Sequence, residues 1–423
     1  MKTVYELVIE GRAYVKGSIA NWCIGIEDGK IAAIAKNLRG DEQLKFKDQI
    51  IFPGAIDPHV HFRDPGLTDK EDFATGSLAA AFAGITCVFD MPNTLPPSIS
   101  KASFLEKKEA IAHKSWVDYG LFAGCVPGAD LRSMAPEAVG FKLFLGSSTG
   151  KLLVTEEKDI QQIVTAAAET KKVLSVHAED EQLIGKEPAR NLAEHMKNRP
   201  PEAEVAAINK LRGREGKINI CHVSSAAGLA ALDNTGFTSE VTAHHLFLDK
   251  ESAKGTYAKV NPPLRTREDR FALMKAFMDG KIDMLGSDHA PHTIEDKEQE
   301  FSYAPSGMPG VETSVPILLA MVKRGQFPLP RFVNAVCERP AEIFQLNKGS
   351  IEIGKDADFM IVDPGRLEAI KVKNLHSKCG WSLFEGFDAL FPQSVMLRGQ
   401  LLIDEGSIAG ERAGKDVVEY TKP

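Results

Sequence analysis

The sequence lacks the features that would place the chain in a membrane, on nucleic acid or in an oxidising compartment. No apolar run approaches the roughly 20 residues that span a bilayer. The opening Met1-Lys2-Thr3-Val4-Tyr5-Glu6 has no long apolar stretch of the secretory type. Positive charge is in deficit: 51 Lys and Arg against 58 Asp and Glu leave a net charge of −7. That balance argues against the basic face that nucleic-acid binding needs. The six cysteines are scattered, with no CxxC pair, and some sit inside apolar runs, as Cys87 does in Ile85-Thr86-Cys87-Val88-Phe89. Reduced, buried thiols in a cytoplasmic protein are expected, and cysteine chemistry is not. Short-period repeats and low-complexity stretches are also absent. What remains is a 423-residue chain, 43% apolar and 26% charged, of ordinary soluble composition and long enough for a large core.

The two ends of the chain share a texture that the middle does not. Residues 1–52 alternate in strand fashion between Gly-rich turns, and the pattern returns in 347–423, where Ser394-Val395-Met396-Leu397 has the rhythm of Leu7-Val8-Ile9. One small β-sandwich domain built from both termini is expected. In 53–346, apolar strand runs alternate with helical stretches. Eight runs are countable: 49–57, 86–91, 117–123, 139–145, 173–177, 218–223, 239–244 and 282–288. Eight strand–helix repeats fit an α/β fold of the (β/α)8 TIM-barrel kind. A doubly wound open sheet is the rival, weakened in its nucleotide-binding form because no GxGxxG follows the first strand.

Histidines cluster at the predicted strand ends. The first strand ends in Asp57-Pro58-His59-Val60-His61-Phe62-Arg63, the fifth in His177-Ala178-Glu179, the sixth in His222-Val223-Ser224 and the eighth in Asp288-His289-Ala290-Pro291-His292. Residues two apart on a strand share a side, so His59 and His61 can serve one metal. In a barrel all these ends meet at one mouth. Taken singly, each histidine is more often a hydrogen-bonded core residue. Four imidazoles and the Asp288 carboxylate together suit zinc or a similar borderline metal. His113, His195 and His376 read as structural. His244-His245 is expected to end strand seven, with neither residue a ligand.

Lys142 stands alone in the apolar run Gly140-Phe141-Lys142-Leu143-Phe144-Leu145. A buried, unpaired ammonium is costly and tends to deprotonate. A neutral amine can take up carbon dioxide, and the resulting carbamate could bridge two metals. The alternative is a lysine that snorkels to the barrel mouth.

These residues carry a resemblance. Asp57 to Pro65, and Gly286 to His292 with Lys297 following, are similar to the two signatures of dihydroorotases, and the chain resembles the larger two-domain type within the amidohydrolase superfamily. The likeness spans essentially the whole sequence. It implies that His59, His61, carboxylated Lys142 and Asp288 serve one of two Zn2+ ions, and Lys142, His177 and His222 the other. It further implies a hydroxide held between the metals that attacks a ring amide, with Asp288 as general acid and base. The implied reaction is reversible cyclisation of N-carbamoyl-L-aspartate to L-dihydroorotate in de novo pyrimidine biosynthesis. Such a substrate carries a carboxylate. Arg63, two residues past His61, suits it as a guanidinium fork, with a surface salt bridge to Asp64 or Asp69 as the alternative reading. By resemblance, Asn93 and His292 complete the clamp, while Asn261 and the Gly307-Met308-Pro309-Gly310 loop line the ring pocket. The rivals are another cyclic amidase, such as an allantoinase, and a non-catalytic scaffold, which would usually have lost ligands. Expected partners are the small-molecule substrate and either a second copy or a transcarbamoylase, with no nucleic acid and no membrane.

Overall fold

A computed structural model describes residues 4–148, 150 and 152–420. The first four strands, β1 (Tyr5–Val15), β2 (Ser18–Glu27), β3 (Lys30–Ala35) and β4 (Gly40–Pro53), make half of one eight-stranded sheet. Eight strands follow in the middle of the chain: β5 (Ala55–Val60), β6 (Ile85–Asp90), β7 (Asp118–Gly124), β8 (Gly140–Phe144), β9 (Val173–His177), β10 (Lys217–Ile220), β11 (Thr238–Val241) and β12 (Met284–Leu285). After them come β13 (Phe359–Val362), the paired short strands β14 (Glu368–Ala369) and β15 (Asp388–Ala389), and then β16 (Ser394–Leu397), β17 (Gln400–Asp404) and β18 (Ser407–Ile408).

The terminal sheet runs β18-β17-β16-β13-β4-β1-β2-β3, so strands from the two ends of the chain are hydrogen-bonded neighbours. Its apolar residues pack across that join: Leu7, Ile9, Ile24, Ile26 and Ile31 share a cluster with Phe359, Ile361 and Met396. Neither end could bury these side chains alone, which is why the rhythm heard at one terminus recurs at the other.

The middle strands lie in sequence order, β5 to β12, all parallel, with helices in the connections. A parallel bridge between Val60 and His289, with the His61 amide donating to the His289 carbonyl at 2.8 Å, joins the last segment to the first. The expected barrel is therefore the observed one. Its strands are buried on both faces, β5 to β9 along their full length, as a sheet covered by helices requires.

Several strand boundaries differ from expectation: the run 282–288 is a strand only over Met284–Leu285, the run 218–223 ends at Ile220, and two others differ for a local reason. The run 49–57 is not one strand, because it divides at Gly54 between the two sheets. A side chain there would drive into Thr86, whose Oγ1 lies 2.2 Å from the Cβ position, so only glycine lets the chain cross. The run 239–244 ends early at Val241. The Thr242 side chain accepts the His245 amide and caps a short helix, Ala243–Phe247, so His244 and His245 are helical.

The two sheets are tied by a buried ion network. Lys348 Nζ, fully buried, lies 2.7 Å from Asp118 at the start of β7, 3.1 Å from Asp356 and 2.5 Å from Asp358. Tyr420 donates to Asp118 and Asp356, and Arg398 pairs with Asp118. The three carboxylates are close enough to hold a metal ion, but Lys348, Arg398 and Lys30 already set three positive charges against them. Lys348→Met should lower unfolding free energy by about 3–5 kcal/mol, because it strands buried charge. A urea titration checks this, and a loss under 1 kcal/mol would mean the network contributes little.

Candidate active site

At the carboxyl ends of the barrel strands lies a narrow cavity that opens to solvent. Its walls include His59, His61, Arg63, Asn93, Lys142, His177, His222, Asn261 and Asp288, together with Ser306 and Gly307. The fold thus gathers the six predicted ligands and three of the four predicted substrate contacts around one space. Those residues arrive from seven different segments, as barrel mouths allow.

His59 Nε2 and His61 Nε2 lie 3.4 and 3.1 Å from the same Asp288 oxygen. Opposite them, His177 Nδ1 is 3.1 Å from His222 Nε2. Lys142 Nζ sits between the groups, 3.4 Å from His59 Nε2, and among the described residues no carboxylate pairs with it. The lysine is 1% exposed, so the snorkelling alternative is not what the fold displays.

The outer nitrogens explain the inner ones. His59 Nδ1 meets Glu240, His61 Nδ1 donates to Asn93 Oδ1 at 2.6 Å, and His177 Nε2 donates to Glu179 at 2.8 Å. Each acceptor turns the other ring nitrogen inward, the arrangement that metal-binding histidines need. His222 lacks such a partner, since its buried Nδ1 is unsatisfied. Burial holds His61 down at about 3 and depresses His177 and His222 as well, so these rings are neutral. His59 is the exception. Burial and the Lys142 ammonium oppose its protonation, but Glu240 and Asp288 lift it to about 10. The site therefore favours positive charge between His59 and Asp288, and His59, His61 and Asp288 are close enough to hold one metal ion. Three inward ring nitrogens, a carboxylate and an amine with no anion beside it fit divalent metal.

Backbone strain concentrates here too. Arg63, His222 and Asp288 have φ of 63°, 37° and 46°, a region that side chains other than glycine seldom occupy. At the ends of β5, β10 and β12 the chain turns sharply enough to aim these side chains into the cavity.

Arg63 is 2% exposed, and among the described residues it has no carboxylate within ion-pair distance. Its Nε donates to the Pro291 carbonyl at 3.2 Å. Asp64 pairs with Lys114 instead, so the salt-bridge reading of Arg63 does not hold. Burial lowers its pKa, with nearby carboxylates offsetting, to about 10, and it stays charged near neutrality. His292 stands behind the cavity wall: its Nε2 is 3.3 Å from the Arg63 guanidinium and donates to the Ser306 carbonyl at 3.1 Å, while Nδ1 accepts from Lys70. It buttresses Arg63. Asn93 is on the wall, but its oxygen is engaged by His61. Asn261 Oδ1 is buried without a hydrogen-bond partner among the described residues, an acceptor left for something in the cavity.

Sequence reasoning missed several neighbours. Glu179 pairs with Arg199, which also donates to the Ser147 carbonyl at 2.6 Å. Glu240 is a lone carboxylate in a buried strand. Glu179 had a signal, since it is two residues past His177; Glu240, flanked by Ser239 and Val241, had none. Cys221, set aside as inert, lies with Sγ 3.1 Å from Lys142 Nζ. Nothing in its spacing indicated that.

Known proteins share this architecture. The amidohydrolase family matches residues 50–402. The dihydroorotase of Methanosarcina mazei is 39% identical, the alignment covering 94% of both chains. That of Pyrococcus furiosus is 38% identical over 99% of this chain and 97% of its own. Among solved structures, the L-hydantoinase (dihydropyrimidinase) of Arthrobacter aurescens superposes with a TM-score of 0.91 at 29% identity, covering 98% of this chain and 99% of that one. No helix among the described residues is long and apolar enough to cross a membrane. With a family match across barrel and flanks, and relatives alike over nearly their whole length, the chain belongs to the amidohydrolase family.

Proposed function

We propose that the protein is a dihydroorotase, interconverting L-dihydroorotate and N-carbamoyl-L-aspartate. The observation that carries this reading is Arg63, a buried guanidinium without a carboxylate partner on the same wall as the histidine–aspartate cluster. A charge so placed is costly unless a ligand supplies the anion. The six-membered ring of dihydroorotate bears a carboxylate, whereas hydantoins need not. Relatives named dihydroorotase, at 38–39% identity, support the same choice.

In this reading His59, His61 and Asp288 would hold one zinc ion and His177 and His222 a second, with a carboxylated Lys142 as a further ligand. Bound there, the metals would supply an activated water and polarise the amide carbonyl. The remaining work belongs to the chain. Arg63, braced by His292, receives the ring carboxylate and sets its orientation. Asn261 Oδ1, the unpartnered acceptor, is suited to a ring N–H. Asp288 takes a proton at its carboxylate and returns it to the departing ring nitrogen, and the reverse sequence closes the ring. Glu240, Asn93 and Glu179 keep the imidazoles in register.

The test is turnover of dihydroorotate beside hydantoin and allantoin, on protein whose metal has been counted. Opening of dihydroorotate alone, abolished by a chelator and restored by zinc, with about two metals per chain, is the expected result. Metal-loaded protein that opens only hydantoin would overturn the substrate and keep the chemistry.

A further inference from the structure

We propose that Lys297 is a positioning residue for ring binding, holding the Pro305-Ser306-Gly307 wall of the cavity. The proposal rests on the dihydroorotase reading for its substrate, but its geometry stands apart from the metal ligands.

Lys297 closes the short helix Ile294–Lys297 and is fully buried. Among the described residues it forms no ion pair. Its Nζ donates instead to the carbonyls of Pro305 at 3.0 Å, Gly307 at 2.9 Å and Lys259 at 3.4 Å. Burial, with Lys259 nearby, lowers the Lys297 pKa to about 7, so these carbonyl dipoles are what holds its positive charge.

The consequence lies on the other side of the segment. With the carbonyls of 305 and 307 turned to Lys297, the Ser306 carbonyl between them faces the opposite way, where it meets His292 Nε2 at 3.1 Å. His292 in turn contacts Arg63 at 3.3 Å. Ser306 and Gly307 themselves line the cavity. The segment has little freedom to choose another path. At Gly307 (φ 137°) a side chain would lie 2.5 Å from the Ala290 carbonyl, and its amide is bonded to the Lys259 carbonyl at 2.9 Å. Lys259 completes the clasp by donating to the Phe301 and Ala304 carbonyls at 2.6 and 2.7 Å. One lysine therefore sets a wall of the cavity, at Ser306 and Gly307.

The test compares Lys297→Met and Lys297→Gln with the unaltered metal-loaded protein. Three quantities are read: KM and kcat for dihydroorotate opening, metal per chain, and hydrogen exchange at the Gly307 amide. Lys297→Met should raise KM about tenfold or more, leave kcat within about threefold and keep the metal, the pattern of lost ground-state binding. Exchange at Gly307 should quicken, and Lys297→Gln, which keeps two N–H donors, should recover part of the KM. An unchanged KM overturns the proposal, as does a joint loss of kcat, metal and stability, which marks a purely structural lysine. Should Lys297→Met not fold, Lys259→Met, at a half-buried position in the same clasp, is held to the same criteria. If the unaltered protein ignores dihydroorotate, the functional reading fails by itself. Exchange at Gly307 then decides the clasp, and KM is read on whichever ring is turned over.

Discussion

Arg63→Met should cut kcat/KM for dihydroorotate by about a hundred- to a thousandfold, the cost of stranding one partner of a buried charge pair. Metal content should stay at the level of the unaltered protein, because Arg63 approaches the cluster from the cavity wall and ligates nothing. Methionine keeps the unbranched stem, so the strain at φ 63° is not made worse. Any residual opening of hydantoin should be untouched, since that ring need not present a carboxylate. Lys at this position would retain charge but lose the planar fork, and intermediate activity is expected. Loss of metal in Arg63→Met, or an equal fall on both rings, would sink the assignment of Arg63 to the carboxylate.

Asp288→Asn should be more damaging. The change preserves size, and asparagine tolerates the left-handed backbone that Asp288 adopts at φ 46°, so the fold should survive. What disappears is the anion facing His59 and His61, and with it the proton acceptor. A drop in kcat of about a thousandfold or more follows from removing a general base. KM should move little, because Arg63 remains in place. Metal analysis separates the two roles: a protein that keeps its metal but not its turnover has lost the proton acceptor. Near-normal kcat with intact metal would exclude Asp288 as the acid–base group.

Much of this site could be read before any coordinates, for a local reason. His59 and His61 are two apart on one strand, and His177, His222 and Asp288 each end an apolar run, so one-dimensional rhythm revealed their positions. Lys142 was conspicuous because a charge interrupted a run that had to be buried. The barrel itself followed from strand–helix alternation. Where local chemistry competed with rhythm, the reading went astray. Thr242 could continue a strand or cap a helix, and its side-chain bond to the His245 amide decided for the helix. At Gly54 a close approach to Thr86, 32 residues away, split an apparently continuous strand.

By itself, then, the sequence determined the barrel and the candidate ligands, because periodicity and a charge within an apolar run are written residue by residue. Tertiary structure alone decided which nitrogens face inward. His61 owes its orientation to Asn93, 32 positions away, and His59 owes its own to Glu240, 181 positions away. It also placed His292 behind Arg63, brought Cys221 against Lys142, and gathered three carbonyls on Lys297. Those contacts join segments distant in the chain and leave no periodic trace. Their partners are met only when eight strands close and bring their ends together.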